Sequence, residues 1–263
     1  MKASGAAIGK GIRMQRLDMG KAWQDTVAML RANGEILAVI AGLFFFVPSL
    51  LAGLIGGVPP EPSAGTAPEE VLRQMGDYFR PLLPWLALSM IAALVGSLAI
   101  WRLLLTRGGT SVGAALSGAF GLFLPYLLAS LLAGLVSGIG FLLLIIPGIY
   151  LTIRLILTGP HMASHGIGNP IEGLKGSWEI TRGNVLSLLL FLVIVVLVGA
   201  IIMVIIQTVL GGAFALILPE GLANTLGQVV EALLGAALSL VLGVMYAAIY
   251  RQLTPQRHEE TFA

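Results

Sequence analysis

Residues 185–209 read VLSLLLFLVIVVLVGAIIMVIIQTV, with no charged side chain anywhere in the run. A helix rises about 1.5 Å per residue, so about 20 such residues cross the roughly 30 Å hydrocarbon layer of a bilayer. Its apolar residues run continuously rather than alternating with period two, which selects a helix over the strand of a membrane barrel. A helix apolar on all sides has no face to offer water. This stretch therefore decides the fold class: an all-α, polytopic membrane helix bundle.

Five further apolar runs flank it, near 36–57, 83–105, 119–138, 140–160 and 227–250, giving about six transmembrane helices. The third and fourth runs form one block. Its turn lies either at Ser137-Gly138-Ile139-Gly140 or at Pro147-Gly148, and both choices make a hairpin. Composition agrees with this reading. Of 263 residues, 57% are apolar and 11% charged, with mean hydropathy +0.95. Soluble domains carry about 25% charged residues, so a water-exposed globule is excluded. The absence of cysteine excludes disulfides and thiolate chemistry, and a net charge of +2 points away from nucleic acid.

Charge placement orients the bundle. Lys2, Lys10, Arg13, Arg16, Lys21, Arg31, Arg102, Arg107, Arg154, Lys175, Arg182, Arg251 and Arg257 fall on one side of the six-helix topology. Arg73 and Arg80 alone fall on the other, beside Glu61, Glu69, Glu70 and Asp77. By the positive-inside rule both termini are cytoplasmic, in a bacterial inner membrane. No apolar signal-peptide core interrupts the basic opening of the chain, so no cleaved leader is expected.

The organisation that follows is a basic cytoplasmic arm (1–17), a six-span membrane domain (18–250) and a cytoplasmic tail (251–263). Within the domain, each hairpin has a lead-in segment. Asn169 caps a helix with Pro170 at its first position, an apolar stripe at Ile171, Leu174 and Trp178, and Gly183 as its stop. Asp18 opens a similar helix with Trp23, Val27 and Leu30 on one face and Gly34 as its end. Residues 110–121 form a weaker copy. These segments read as interfacial helices, and they suggest three repeats at 18–105, 109–160 and 170–250. The outer loop, 58–81, contains a short amphipathic helix over 69–79.

Small residues at every fourth position let helices approach closely in lipid. Gly235, Ser239, Gly243 and Ala247 form the longest such series, and close packing within the chain or a homodimer would use it. Pro48, Pro125 and Pro147-Gly148 are expected to kink their spans, because proline removes a backbone donor. Arg154 is the charged residue set deepest among the apolar runs, within reach of lipid headgroups by extending toward the surface. No acid lies at a span centre, which counts against ion-coupled transport. His161 and His165 are four apart but lack a third ligand, so no metal site is expected. No cofactor motif, nucleophile elbow or phosphate loop occurs.

Two passages, Ile145-Ile146-Pro147-Gly148-Ile149-Tyr150-Leu151-Thr152-Ile153-Arg154 and Asn169-Pro170-Ile171-Glu172-Gly173-Leu174-Lys175-Gly176-Ser177-Trp178-Glu179-Ile180-Thr181-Arg182-Gly183-Asn184, carry a resemblance. They resemble the bacterial membrane-domain family associated with glycerophosphoryl diester phosphodiesterases. The resemblance implies the helical fold and an envelope location. It does not imply the activity, because that family's hydrolysis belongs to a separate barrel with a His-Arg dipeptide, and no histidine precedes arginine here. Gly173 and Gly176 depart from the family's pattern and loosen that helix.

The expectation is a non-enzymatic membrane protein that contacts lipids or membrane-protein partners through Trp23, Arg154, Lys175, Trp178 and Arg182. Its competitor is a transporter or lipid-translocating protein built around the kinks at Pro125 and Pro147.

Overall fold

The computed structural model describes residues 16–57, 60, 63, 65–106 and 111–254. Most of the basic arm and the tail beyond Thr254 lie outside the described residues. The chain opens with α1 (Met19–Ala32), where the Asp18 side chain accepts from the Lys21 N–H as an N-cap. Asn33 breaks the helix, and α2 (Gly34–Ala41) and α3 (Val47–Gly56) continue as one apolar rod across a π turn at Gly42–Phe46. Pro48 explains that turn. A proline cannot donate to the carbonyl four residues back and its ring crowds it, so the ladder widens just ahead, with the Val47 N–H reaching Gly42.

The next element corrects the expected outer loop. Residues 69–79 are not a separate short helix: they begin α4 (Pro68–Leu105), a single 38-residue helix that carries Pro81 and Pro84 within it. At about 1.5 Å per residue it is roughly 57 Å long. Exposed ion pairs lace the turns before the prolines, and packing holds the helix between them. Arg73 pairs with Glu70 at 2.7 Å and faces Asp77, which in turn faces Arg80. Leu82 is buried against Gly56 of α3.

Ser111 caps α5 (Val112–Leu143), a 32-residue helix containing Pro125 that takes in residues 112–121 of the expected lead-in, whose first residue, Thr110, lies outside the described residues. The hairpin turn is at Leu144, in neither of the two expected places. The crossing chooses it. A methyl on Gly140 would sit 2.9 Å from the Gly148 Cα, so only two glycines permit α6 (Ile145–Leu155) to fold back this tightly. Pro147 and Gly148 are therefore not a mid-span kink. Pro147 lies in the first turn of α6, where its missing donor leaves nothing unsatisfied.

The fourth apolar run is not one helix either. After α6 the chain breaks at Ile156–Leu157 and resumes as α7 (Thr158–His165), which ends at Gly166 in the left-handed region, φ +66°. Asn169 caps α8 (Pro170–Ile180) through the Ile171 N–H, and Gly183 takes φ +79° after it, as the sequence predicts. Two long helices complete the fold: α9 (Val185–Ile217) and α10 (Glu220–Leu253). Among the described residues there is no strand, and five helices are long and apolar enough to cross a membrane: Gly34–Gly56, α4, α5, α9 and α10.

Burial is concentrated at one end. There α1, α7 and α8 pack among the C-terminal ends of α4 and α10, and Leu98, Ile100, Leu157, Met162 and Met245 are fully enclosed. Trp101 locks this end, donating its indole N–H to the Gly243 carbonyl at 2.9 Å and meeting Tyr126 edge-on. We call this the polar end, because the buried polar side chains Thr26, Arg154, Thr158, Ser177, Thr181 and Asn184 all gather in it.

Candidate functional site

The break between α6 and α7 builds the site. A helix that stops leaves its last carbonyls without amide partners, and one that starts leaves its first N–H groups free. Ser177 of α8 answers both. Its hydroxyl accepts from the Leu157 N–H at 3.1 Å and donates to the Arg154 carbonyl at 2.9 Å. Thr181, one turn later, bonds the Ser177 carbonyl at 2.8 Å and reaches the Arg154 carbonyl at 3.2 Å. Both hydroxyls are fully buried.

This pinning fixes where the Arg154 side chain goes. Only 4% of Arg154 is exposed, and its guanidinium carbon lies 4.1 Å from the centre of the Trp178 ring and 5.9 Å from that of Tyr150. Tyr150 and Trp178 meet edge to face at 6.0 Å, so three side chains form a corner with the cation inside. Its Nε is buried without a hydrogen-bond partner, and among the described residues no carboxylate pairs with the guanidinium. The ion pairs of the described residues all lie on α4. A buried arginine with aromatic faces and no carboxylate partner among the described residues offers a fork whose geometry matches phosphate or carboxylate.

Lys175 is exposed three residues before Trp178, at a spacing that shares its side of α8, and Arg182 is exposed in the turn that follows the helix. Trp23 stands elsewhere. It is 43% exposed on α1 and lines an apolar groove of about 550 Å³ between α9 and α10, with Phe191, Gly199 and Leu238. The small-residue series on α10 divides. Gly243 and Ala247 are buried, Gly243 against Trp101 and Ile100, whereas Gly235 is half-buried and Ser239 exposed.

A second polar cluster lies behind the corner. The Tyr250 hydroxyl is 3.1 Å from His161 Nδ1 and accepts from Ser164 at 2.9 Å, while His165 stands 3.2 Å away. Burial holds the His161 pKa below its ordinary value, and the neighbouring His165 adds to this; Glu172 and Glu179 act weakly the other way. Among the described residues no third ligand joins the two histidines as a metal cluster.

Sequence reasoning missed what holds the corner. Gly173 and Gly176 do not loosen α8; they are what lets it dock. A methyl on Gly176 would lie 2.0 Å from His161 Nε2, and one on Gly173 would lie 2.5 Å from Met162. Ser177 and Thr181 carried no visible signal, but one was available around the arginines. Arg102-Leu-Leu-Leu-Thr106 ends α4, and Arg154-Leu-Ile-Leu-Thr158 spans the α6–α7 break. Arg102 also has a buried Nε without a partner and lies across Gly118.

Fold and site define a class: an all-α protein whose long apolar helices suit a membrane, with a buried arginine at its polar end that has no carboxylate partner among the described residues. The chain belongs to a family described as Domain of unknown function (DUF7847), whose pattern matches residues 17–253. No curated protein and no solved structure matches it. Nothing in these comparisons links the chain to the glycerophosphoryl diester phosphodiesterases, so that likeness rests on the two sequence passages alone.

Proposed function

We propose that this is a non-enzymatic, multi-pass protein of a bacterial inner membrane, with both termini cytoplasmic, that binds an anionic group of the membrane surface at the Arg154–Trp178 corner. One observation carries this reading: a cation 96% buried, stacked on Trp178, with no carboxylate partner among the described residues. Membrane residence is supported by five long apolar helices whose side chains point outward in large number; Leu216 is 89% and Leu186 is 77% exposed. Orientation is supported by the 13 basic residues, which fall on the side of α1 and α8 when the α5–α6 hairpin returns the chain to that side. On that path α1 and α8 lie in the cytoplasmic interface. The resemblance to the phosphodiesterase-associated membrane family agrees with this location and supplies no activity.

The test is thermal unfolding in detergent with added lipid. Phosphatidylglycerol raises the melting temperature of the wild-type protein more than phosphatidylcholine does, and Arg154→Gln removes the difference. Equal stabilisation by both lipids contradicts the reading.

A second reading, passage of a small polar solute or a lipid, is favoured by one feature. A cavity of about 350 Å³ among α4, α5, α6, α7 and α10 is lined by Ser130, Ser137, Thr152, Thr158, Tyr126 and Tyr246. Substrate-dependent flux in proteoliposomes, lost on Arg154→Ala, would decide for it.

A further inference from the structure

Beside the arginine corner runs a cleft between α6 and α9, about 410 Å³ in volume and almost wholly apolar, walled by Ile146, Ile149, Tyr150, Val185, Leu186 and Leu189. Tyr150 belongs to both places. It lines the cleft, and its ring stands 5.9 Å from the Arg154 guanidinium and 6.0 Å from the Trp178 ring. Cleft and cation are thus neighbours that share the Tyr150 ring. The cleft also climbs in the right direction. From Arg154 to Ile146, eight residues of α6 rise about 12 Å away from the polar end. Leu186, 77% exposed on its rim, leaves it open sideways to the surrounding bilayer.

We infer that corner and cleft together form one phospholipid site: the phosphate of an anionic phospholipid sits on Arg154, and one acyl chain lies in the α6–α9 cleft. The inference rests on the anion-binding reading above and adds the tail to the head. Each half is incomplete alone. A buried guanidinium without a carboxylate partner calls for an oxyanion, and an apolar cleft opening on lipid calls for hydrocarbon. Their separation along α6 has the order of an amphiphile, charge toward the polar end and chain toward the middle. Lys175 on α8 and Arg182 in the turn after it, both exposed, raise the local concentration of anionic headgroups and sharpen the choice over zwitterionic ones.

The experiment is photolabelling of the full chain in phosphatidylcholine nanodiscs doped with phosphatidylglycerol that carries a diazirine midway along one acyl chain. Label is expected on residues 146–150 and 185–189. It is chased by unlabelled phosphatidylglycerol but not by inorganic phosphate. Arg154→Gln and the cleft-filling Leu189→Trp each lower the labelling about tenfold, a loss of about 1.4 kcal/mol of binding, with melting temperatures checked to show that both variants fold. Label spread evenly over the exposed faces of α9 overturns the chain placement. So does full labelling of Leu189→Trp while Arg154→Gln loses it, and in that case the anion-binding reading survives. Displacement by inorganic phosphate identifies a free anion rather than a lipid and overturns the inference. Labelling indifferent to Arg154→Gln defeats both.

Discussion

The two ends of the molecule are built on different physics. At the polar end, short helices, buried hydroxyls and close glycine contacts make a densely determined structure around Arg154. At the far end, the flank of α9 points apolar side chains outward; Leu216 and Ile217 are among the most exposed of the described residues. Water would oppose that exposure and lipid does not, so the far end needs only hydrophobicity and length. The polar end needs particular atoms in particular places. The difference explains why substitutions should act so unequally along the chain.

Ser177→Ala should have the largest effect. It orphans the Leu157 N–H and the Arg154 carbonyl together, and buried orphans cost about 1–3 kcal/mol each. Part of the second loss is offset by Thr181, so about 2–4 kcal/mol is expected, read as a lower melting temperature in detergent. Gly176→Ala comes next. Its methyl collides with the His161 imidazole, and overpacking of this kind costs about 1–3 kcal/mol. Because the collision is with one side chain, the double variant Gly176→Ala with His161→Ala should recover part of the loss. Additive losses would place the strain elsewhere.

Acidification should act more weakly. The folded pKa of His161 lies below its unfolded value of about 6.5, so the unfolded chain binds the extra proton first. The His161 contribution is fully present above about pH 6.5 and declines as pH falls through the lowered folded pKa. The melting temperature should drop between pH 7.5 and 5.5, and less so in His161→Gln; an equal drop in both would remove His161 from the account. Leu197→Ala, on the 57%-exposed flank of α9, should have the smallest effect, within about 0.5 kcal/mol of wild type. A loss as large as that of Ser177→Ala would erase the contrast between the ends.

The same contrast governs what the sequence discloses. Long apolar runs and capping residues act locally, so α9, α10 and the starts of α1 and α8 are legible from Val185, Asp18 and Asn169 outward. Boundaries set by contacts between distant segments are not. The Leu144 turn depends on Gly140 meeting Gly148, and the persistence of α4 past Pro81 depends on Leu82 packing against Gly56. Arg154 was visible as an anomaly of charge in an apolar run. That its carbonyl would be held by Ser177 and its guanidinium by Trp178 follows only from α8 folding back on the α6–α7 break, and the glycines that allow it look in sequence like weak points.

The central claim is that the buried Arg154 cation is completed by an anionic lipid. Native mass spectrometry of the protein released from a mixture of equal parts phosphatidylglycerol and phosphatidylcholine tests it most directly. The account predicts a retained phosphatidylglycerol on the wild-type protein, lost in Arg154→Gln and unchanged in Leu197→Ala. Equal retention of the two lipids, or a phosphatidylglycerol that stays bound to Arg154→Gln, would contradict it.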